Sequence, residues 1–461
     1  MKTKILYTLI TAFLLASCSE EKTAPVEYVI FSGKVVHKNA DKLSVSGSDF
    51  SKKINILEDD TFMDTLDITK NGYYRFSIGS ESSEIYLKKG EDLNLSIDTK
   101  EFDESIRYTG KAASMNSYLA TKYLVKEKFS ETTGKRDSLN KSVPKDFKQK
   151  ILSLKKDLSE LLTNSKIADT NFISEQLRYN HYDYLAYTNE YLNYNYFDSS
   201  KLDTITSKSL KEELTSIDLG NESDYAISNA YRFLVSSNYG REKREQSSKD
   251  SIPYYEAFIN GLSDVKSDYI RNSLMDEMTW YISAGNPESE KIYTSLMDKS
   301  TDTAFQRRIT ESFNKIKLLT KGNNSPTFDY ENYSGGSTSL ADLKDHYVYI
   351  DVWATWCKPC IAEIPSLKKL EKEYDEKIKF VSISVDNKKD HDAWKTMIKE
   401  KELSGIQLFA DNSWSSKFVQ DYDIKGIPRF ILIDKEGKIV NADAPRPSDP
   451  RLVNLFKELK L

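Results

Sequence analysis

The chain has 461 residues, 39% of them hydrophobic and 30% charged, with a formal net charge of −5. That is the composition of a soluble globular protein, and it offers no basic excess for nucleic acid. At this length two to four domains are expected, and only 3 cysteines serve them all.

Residues 1–17 read as a secretory signal. Lys2 and Lys4 make a positive start, and residues 5–15 are apolar but too few to span a bilayer with ease. The segment ends Leu15-Ala16-Ser17-Cys18. This resembles a bacterial lipobox, where cleavage precedes the cysteine and the thiol is then lipid-modified. The resemblance implies lipidation at Cys18 and a membrane anchor. Acyl chains contribute about 0.8 kcal/mol per buried CH₂, so several of them hold a soluble body firmly. Residues 18–26 are then a polar lipidated tether. Glu20 and Glu21 are similar to a surface-export signal of Bacteroidetes lipoproteins, so periplasm-facing and surface-displayed positions in the cell envelope both stay open. With Cys18 used, the mature body enters an oxidising compartment carrying only Cys357 and Cys360.

Residues 27–110 read as an antiparallel, β-sandwich-like domain. Runs such as YVIFSGKVV, YYRFSI and LNLSID are separated by turn signals at Lys70-Asn71-Gly72 and Gly90-Glu91-Asp92. SGKV, NGYYRF and YLKKGEDLNLSID resemble an uncharacterised β-domain that precedes redox modules in Bacteroidetes lipoproteins. Residues 111–320 switch to a helical period and form an all-helical middle region. Helices are predicted over 115–129, 145–164, 173–194, 210–217, 225–239, 254–262, 267–283 and 303–319, with breaks at Gly220-Asn221, Ser251-Ile252-Pro253 and Gly285-Asn286-Pro287. Tyr184, Tyr187, Tyr191 and Tyr194 share one helix face. Helix packing with hydroxyls at the rim is the favoured reading, and an aromatic platform for a sugar or partner is the other. His37, His181, His346 and His391 show no ligand spacing, so no metal is expected.

After a linker at 321–326, strands alternate with helices through 461, an α/β pattern with a closing antiparallel hairpin. Here lies DVWATWCKPC, which holds both remaining cysteines. A disulfide between residues so close constrains the unfolded chain little, so reactivity explains the pair better than stability. The strand delivers Cys357 to a helix start, where the first N–H groups and the dipole favour the thiolate, which is the nucleophile. Cys357 is therefore the expected exposed attacker, and Cys360, one turn inward and shielded, the resolving thiol. Pro359 suits a helix start, where its missing N–H is no loss. Pro365 is expected to kink the same helix.

WATWCKPC, Asp351, Glu363, Pro365, the Gly426-Ile427-Pro428 segment and the opening at Pro326 resemble the thioredoxin-like domain of TlpA/ResA-type thiol–disulfide reductases, related to the AhpC/TSA branch. The resemblance covers residues 321–461 and implies a thioredoxin-like fold. It also implies a redox-active Cys357–Cys360 disulfide, a cis-proline at Pro428 that leaves Ile427 free to pair with a client strand, and no cofactor. The carboxylates of Glu363 and Asp351 are the expected proton carriers, Glu363 the main one, while Lys358 favours the thiolate. Trp356, Lys358, Pro359, Ile427 and Pro428 form the expected client contacts. The implied partners are disulfide-bearing client proteins, with apocytochrome c one family precedent, and an upstream envelope thiol reductant. Two other readings stand beside this one. One is a binding or sensing lipoprotein with an accessory redox domain. The other is a thiol peroxidase, which needs a proline and a threonine where Ile350 and Ala354 stand.

Overall fold

The computed structural model describes residues 26–215 and 217–461. The signal segment and Cys18 lie outside the described residues. The chain divides into two compact units, Met1–Ile217 with Ala226–Leu234, and Asp218–Tyr225 with Val235–Leu461. The division falls inside the helical stretch.

The first unit begins with strands β1 (Val29–Val36), β2 (Lys42–Ser46), β3 (Ser51–Asn55), β4 (Thr61–Leu66), β5 (Gly72–Ile78), β6 (Glu81–Leu87), β7 (Asp92–Asp98) and β8 (Arg107–Thr109). They form two four-stranded sheets, ordered β4-β1-β7-β8 and β3-β2-β5-β6. Period-two alternation makes them sheets with one wet face: Leu93, Leu95 and Ile97 of β7 are buried while Asn94 and Ser96 face out. β1 and β7 pair in parallel, a departure from the antiparallel expectation. The chain visits the other sheet between them and returns in the same direction. Gly33 permits this pairing to close, since a Cβ there would lie 2.0 Å from the Leu95 carbonyl oxygen.

Helices follow: α1 (Phe102–Ser105), α2 (Ala113–Thr133), α3 (Lys135–Asn140), α4 (Pro144–Asn164), α5 (Thr170–Tyr194), α6 (Ser199–Leu202) and α7 (Ile205–Thr215). Asp169 caps α5 by accepting from the amides of Asn171 and Phe172. Phe172 then joins the sheet core, its ring 5.0 Å from that of Tyr86. Within the tyrosine stripe of α5, Tyr184 and Tyr191 are buried in helix packing, while Tyr194 is exposed: Tyr191 stacks on Phe147 at 4.0 Å and donates to the Ser142 carbonyl, and Tyr184 donates to Glu213.

Two further helices, α8 (Glu222–Ile227) and α9 (Asn229–Asp250), stand where one was expected. The second unit continues with α10 (Tyr254–Gly261), α11 (Asp268–Met278), α12 (Ser289–Lys299) and α13 (Thr303–Leu318). The α/β part has strands β9 (Asp329–Asn332), β10 (Ser337–Ser339), β11 (Tyr347–Trp353), β12 (Ile378–Ser384), β13 (Ile406–Phe409), β14 (Arg429–Ile433) and β15 (Ile439–Asn441). Its helices are α14 (Lys358–Tyr374), α15 (His391–Glu400), α16 (Lys417–Asp421) and α17 (Pro450–Glu458). The seven strands run β10-β9-β13-β12-β11-β14-β15. β11 is parallel to β12 and antiparallel to β14. It is buried from Val348 to Trp353, as a central strand between two strand neighbours must be. No helix among the described residues is long and apolar enough to cross a membrane.

Candidate active site at the end of β11

The site grows out of the strand-to-helix junction. β11 ends at Trp353, and Cys357 is the N-cap of α14. The intervening turn is held from two sides. The Cys357 amide donates to the Ala354 carbonyl at 3.0 Å. The fully buried Asp386 carboxylate accepts from the Thr355 amide (2.9 Å), the Thr355 hydroxyl (2.8 Å) and the Ser384 hydroxyl (2.8 Å). A buried carboxyl group met by three donors is a rigid anchor.

Cys357 and Cys360 are joined as a disulfide, their Cα atoms 5.3 Å apart. Both are buried, at 4% and 3% exposure, so in this oxidised form exposure does not single out an attacker. The bonded pair shields both sulfurs at once. Hydrogen bonding does separate them: the Cys360 amide donates to Cys357 Sγ at 3.2 Å. That is the contact an orphan helix N–H offers to a developing thiolate. Trp356, Lys358 and Pro359 are exposed around the pair.

The Ile427–Pro428 peptide bond is cis. β14 begins one residue later, with Arg429 opposite Val352 of β11, so the loop lies at the same sheet end as the dithiol turn. Arg429 is tied to Asp443 by a 2.8 Å ion pair.

The two expected carboxylates occupy different surroundings. Glu363, on α14, is fastened by both oxygens: Oε2 accepts from the Ser448 amide and Oε1 from the Ser448 hydroxyl, each at 2.9 Å. Asp351 is buried on β11, and its Oδ1 has no partner among the described residues. Burial, followed by the charges of Glu363 and Glu371, pushes its pKa up to about 8. Asp351 and Cys360 line one small cavity together with Trp353, Glu371, Ser404 and Gln407. The cavity has room for about one water-sized sphere, with a volume of about 10 Å³. Trp353 Nε1 and Gln407 Oε1 are likewise unpartnered among the described residues.

Sequence reasoning did not single out Asp386, Ser448, Gln407 or Glu371 as parts of this site. The one local signal was the acidic end of SISVD at Asp386, directly after β12. No group of three or more His, Cys, Asp or Glu side chains suited to a metal occurs among the described residues.

Residues 322–442 match the model of the AhpC/TSA family. Among curated relatives, the chain is 35% identical over 125 residues to the thioredoxin-like protein YneN of Bacillus subtilis, covering 27% of this chain and 59% of that one. It is 32% identical over 120 residues to a thiol-disulfide oxidoreductase ResA of Bacillus cereus, covering 26% of this chain and 66% of that one. The chain thus spans less than two thirds of the length of either relative. Among solved structures, a putative thiol-disulfide oxidoreductase from Bacteroides vulgatus is 49% identical, with 31% of this chain and 92% of that chain covered and a TM-score of 0.28.

Proposed function

We propose that this chain, whose C-terminal domain is an AhpC/TSA-type thioredoxin-like domain, is a lipid-anchored thiol–disulfide oxidoreductase of the cell envelope that reduces disulfides in exported proteins. The observation that carries this reading is the Cys357–Cys360 pair at the N-terminus of α14, with the Cys360 amide directed at Cys357 Sγ. The likeness to a relative named as a thiol-disulfide oxidoreductase supports it.

The steps balance as two-electron exchange. The Cys357 thiolate attacks one sulfur of a client disulfide, the client S–S bond breaks, and the departing client thiolate takes a proton. Cys360 gives its proton to a base and attacks Cys357 Sγ. The Cys357–Cys360 bond forms, and the second client sulfur leaves as a thiolate. The client gains two electrons, and an upstream envelope thiol protein returns the pair to the dithiol. Low thiol pKa helps the first step, and a base helps the second.

Asp351 is the better placed base. It is buried, shares a cavity with Cys360 and titrates near 8, close to a working pH. Glu363 is committed to Ser448 and serves to hold the loop ahead of α17. In this proposal Asp351 takes the main proton role that the sequence expectation gave to Glu363. Lipidation at Cys18 and residence in the envelope rest on the lipobox resemblance alone.

Reduction of insulin by the purified mature chain with dithiothreitol tests the activity. A Cys360→Ser variant expressed in cells tests the clients, because it should retain them as mixed disulfides on Cys357. If neither insulin reduction nor any adduct is seen, the binding-lipoprotein reading replaces this one.

A further inference from the structure

The helices ahead of the α/β part hold one aromatic side chain against the cis-proline loop. α11 ends at Met278 and passes into a single 3-10 turn, Thr279–Tyr281. A helix end leaves carbonyls without partners and carries the negative end of the dipole. Lys425 answers both. Its Nζ donates to the carbonyls of Thr279 (3.3 Å) and Ile282 (3.2 Å) and to the Ser312 hydroxyl (3.0 Å). It is held in turn by Asp423 at 3.0 Å. Lys425 stands three residues before Pro428, so the turn is fastened to the root of the loop.

Trp280 sits on that turn with its ring edge on Gly426. A Cβ at residue 426 would fall 3.1 Å from Trp280 Cζ3, so glycine is what lets the indole rest on the backbone there. Farther along, a Cβ on Gly285 would fall 3.0 Å from Asp443 Cβ, and Asp443 is the residue that pairs with Arg429. Residues 279–285 therefore run beside residues 425–429, within the second unit. Yet Trp280 is 59% exposed. It is held by one edge on Gly426 and shows the rest to water, at the rim of a loop on the same sheet end as the dithiol turn. Trp356, next to Cys357, is similarly open at 55%. Indoles bring large contact area at low entropic cost and are enriched among the residues that dominate interfaces.

We propose that Trp280 is a client-contacting residue, which extends the exchange face beyond the cis-proline loop and favours extended polypeptides with a bulky apolar side chain beside the oxidised cysteine. The proposal rests on the oxidoreductase reading. It gives the helical region a part in choosing the client, whereas the dithiol turn supplies the exchange itself.

The test compares wild type with Trp280→Ala in the full mature chain, by kcat/KM on three substrates. These are glutathione disulfide, a disulfide peptide with phenylalanine next to cysteine, and the same peptide with serine there. Wild type should prefer the phenylalanine peptide, and Trp280→Ala should lose roughly tenfold on that peptide alone. Trp280→Phe should recover part of the loss. Lys425→Met, which releases the turn without touching the indole, should reproduce the defect on the same peptide. The proposal is overturned if wild type does not distinguish the two peptides. It is equally overturned if Trp280→Ala matches wild type on the phenylalanine peptide or loses equally on glutathione disulfide. A wild-type chain that exchanges with none of the three sinks the oxidoreductase reading itself, a result distinct from these.

Discussion

Where β6 meets α2, the buried polar side chain of Asn116 is fully matched. Its Oδ1 accepts from the Tyr86 amide, and its Nδ2 donates to the carbonyls of Tyr86 and Ala112. At the end of β11 the opposite holds. Asp351, Trp353 and Gln407 each keep a buried polar atom without a partner among the described residues, around a cavity they share with Cys360. Burial alone disfavours both arrangements. In the first unit, partners remove the penalty and the helix is fixed on the sheet. At the dithiol, the penalty is left standing and appears as a carboxylic acid that holds its proton up to about pH 8. A polar group that is matched builds structure, and one left unmatched beside a thiol is available for proton transfer.

Substitutions can break that comparison, and the largest effect is expected at the sulfur. Cys357→Ser should abolish disulfide exchange in the insulin assay, while Cys360→Ser should stall at the mixed disulfide. Next is Asp351→Asn, which should slow resolution of the mixed disulfide by roughly 10²-fold, the size of a lost general base. Stopped-flow decay of a preformed adduct would measure it. A rate equal to wild type would remove Asp351 from the mechanism.

The same substitution has a stability signature of definite sign. The folded-state pKa of Asp351, about 8, lies above its ordinary 3.8, so between those values the folded chain holds a proton that the unfolded chain has lost. Stability therefore declines as pH rises from near 4 towards 8 and is level above that. The ceiling of this decline is ~6 kcal/mol, at ~1.4 kcal/mol per pH unit over the interval from 3.8 to about 8. Asp351→Asn should flatten it, so urea midpoints at pH 5 and pH 9 should draw together in the variant.

Asn116→Ala should leave the Tyr86 amide and carbonyl unmatched and lower stability by about 1–3 kcal/mol, with exchange rates unchanged. A fall in activity comparable to that of Asp351→Asn would mean that the two sites do not divide as described. The smallest effect is expected from Glu363→Gln, which keeps an oxygen for Ser448 and should alter resolution by no more than about threefold, well short of a lost general base. A loss as deep as that of Asp351→Asn would return the main proton role to Glu363.

Much of this was legible along the chain because it is local. Strand-to-helix placement of CKPC follows from the apolar run before it and the proline within it. The sheets of the first unit follow from alternation, and α4 and α5 from helical period. Misses also have local causes. β2, KLSVS, has only Leu43 and Val45 as inward residues, too few for a clear pattern. α12 follows a Gly-Asn-Pro break and buries only Ser289, Ile292 and Leu296. α8 and α9 were merged because no glycine or proline marks the interruption at Ser228.

The linear pattern by itself determined the succession of a strand region, a helical region and an alternating strand–helix region, the pairing of the two cysteines at a helix start, and the proline before the last long strand. Side-chain period and short spacing carry that information. Tertiary structure alone decided which carboxylate stands unpartnered beside Cys360. It also decided that Ser448 holds Glu363, that Asp386 braces the turn from the next strand, and that Trp280 reaches Gly426. The residues in those pairs are separated by 85, 31 and 146 positions. At such separations no periodicity survives, and only the packing of strands and helices brings the groups together.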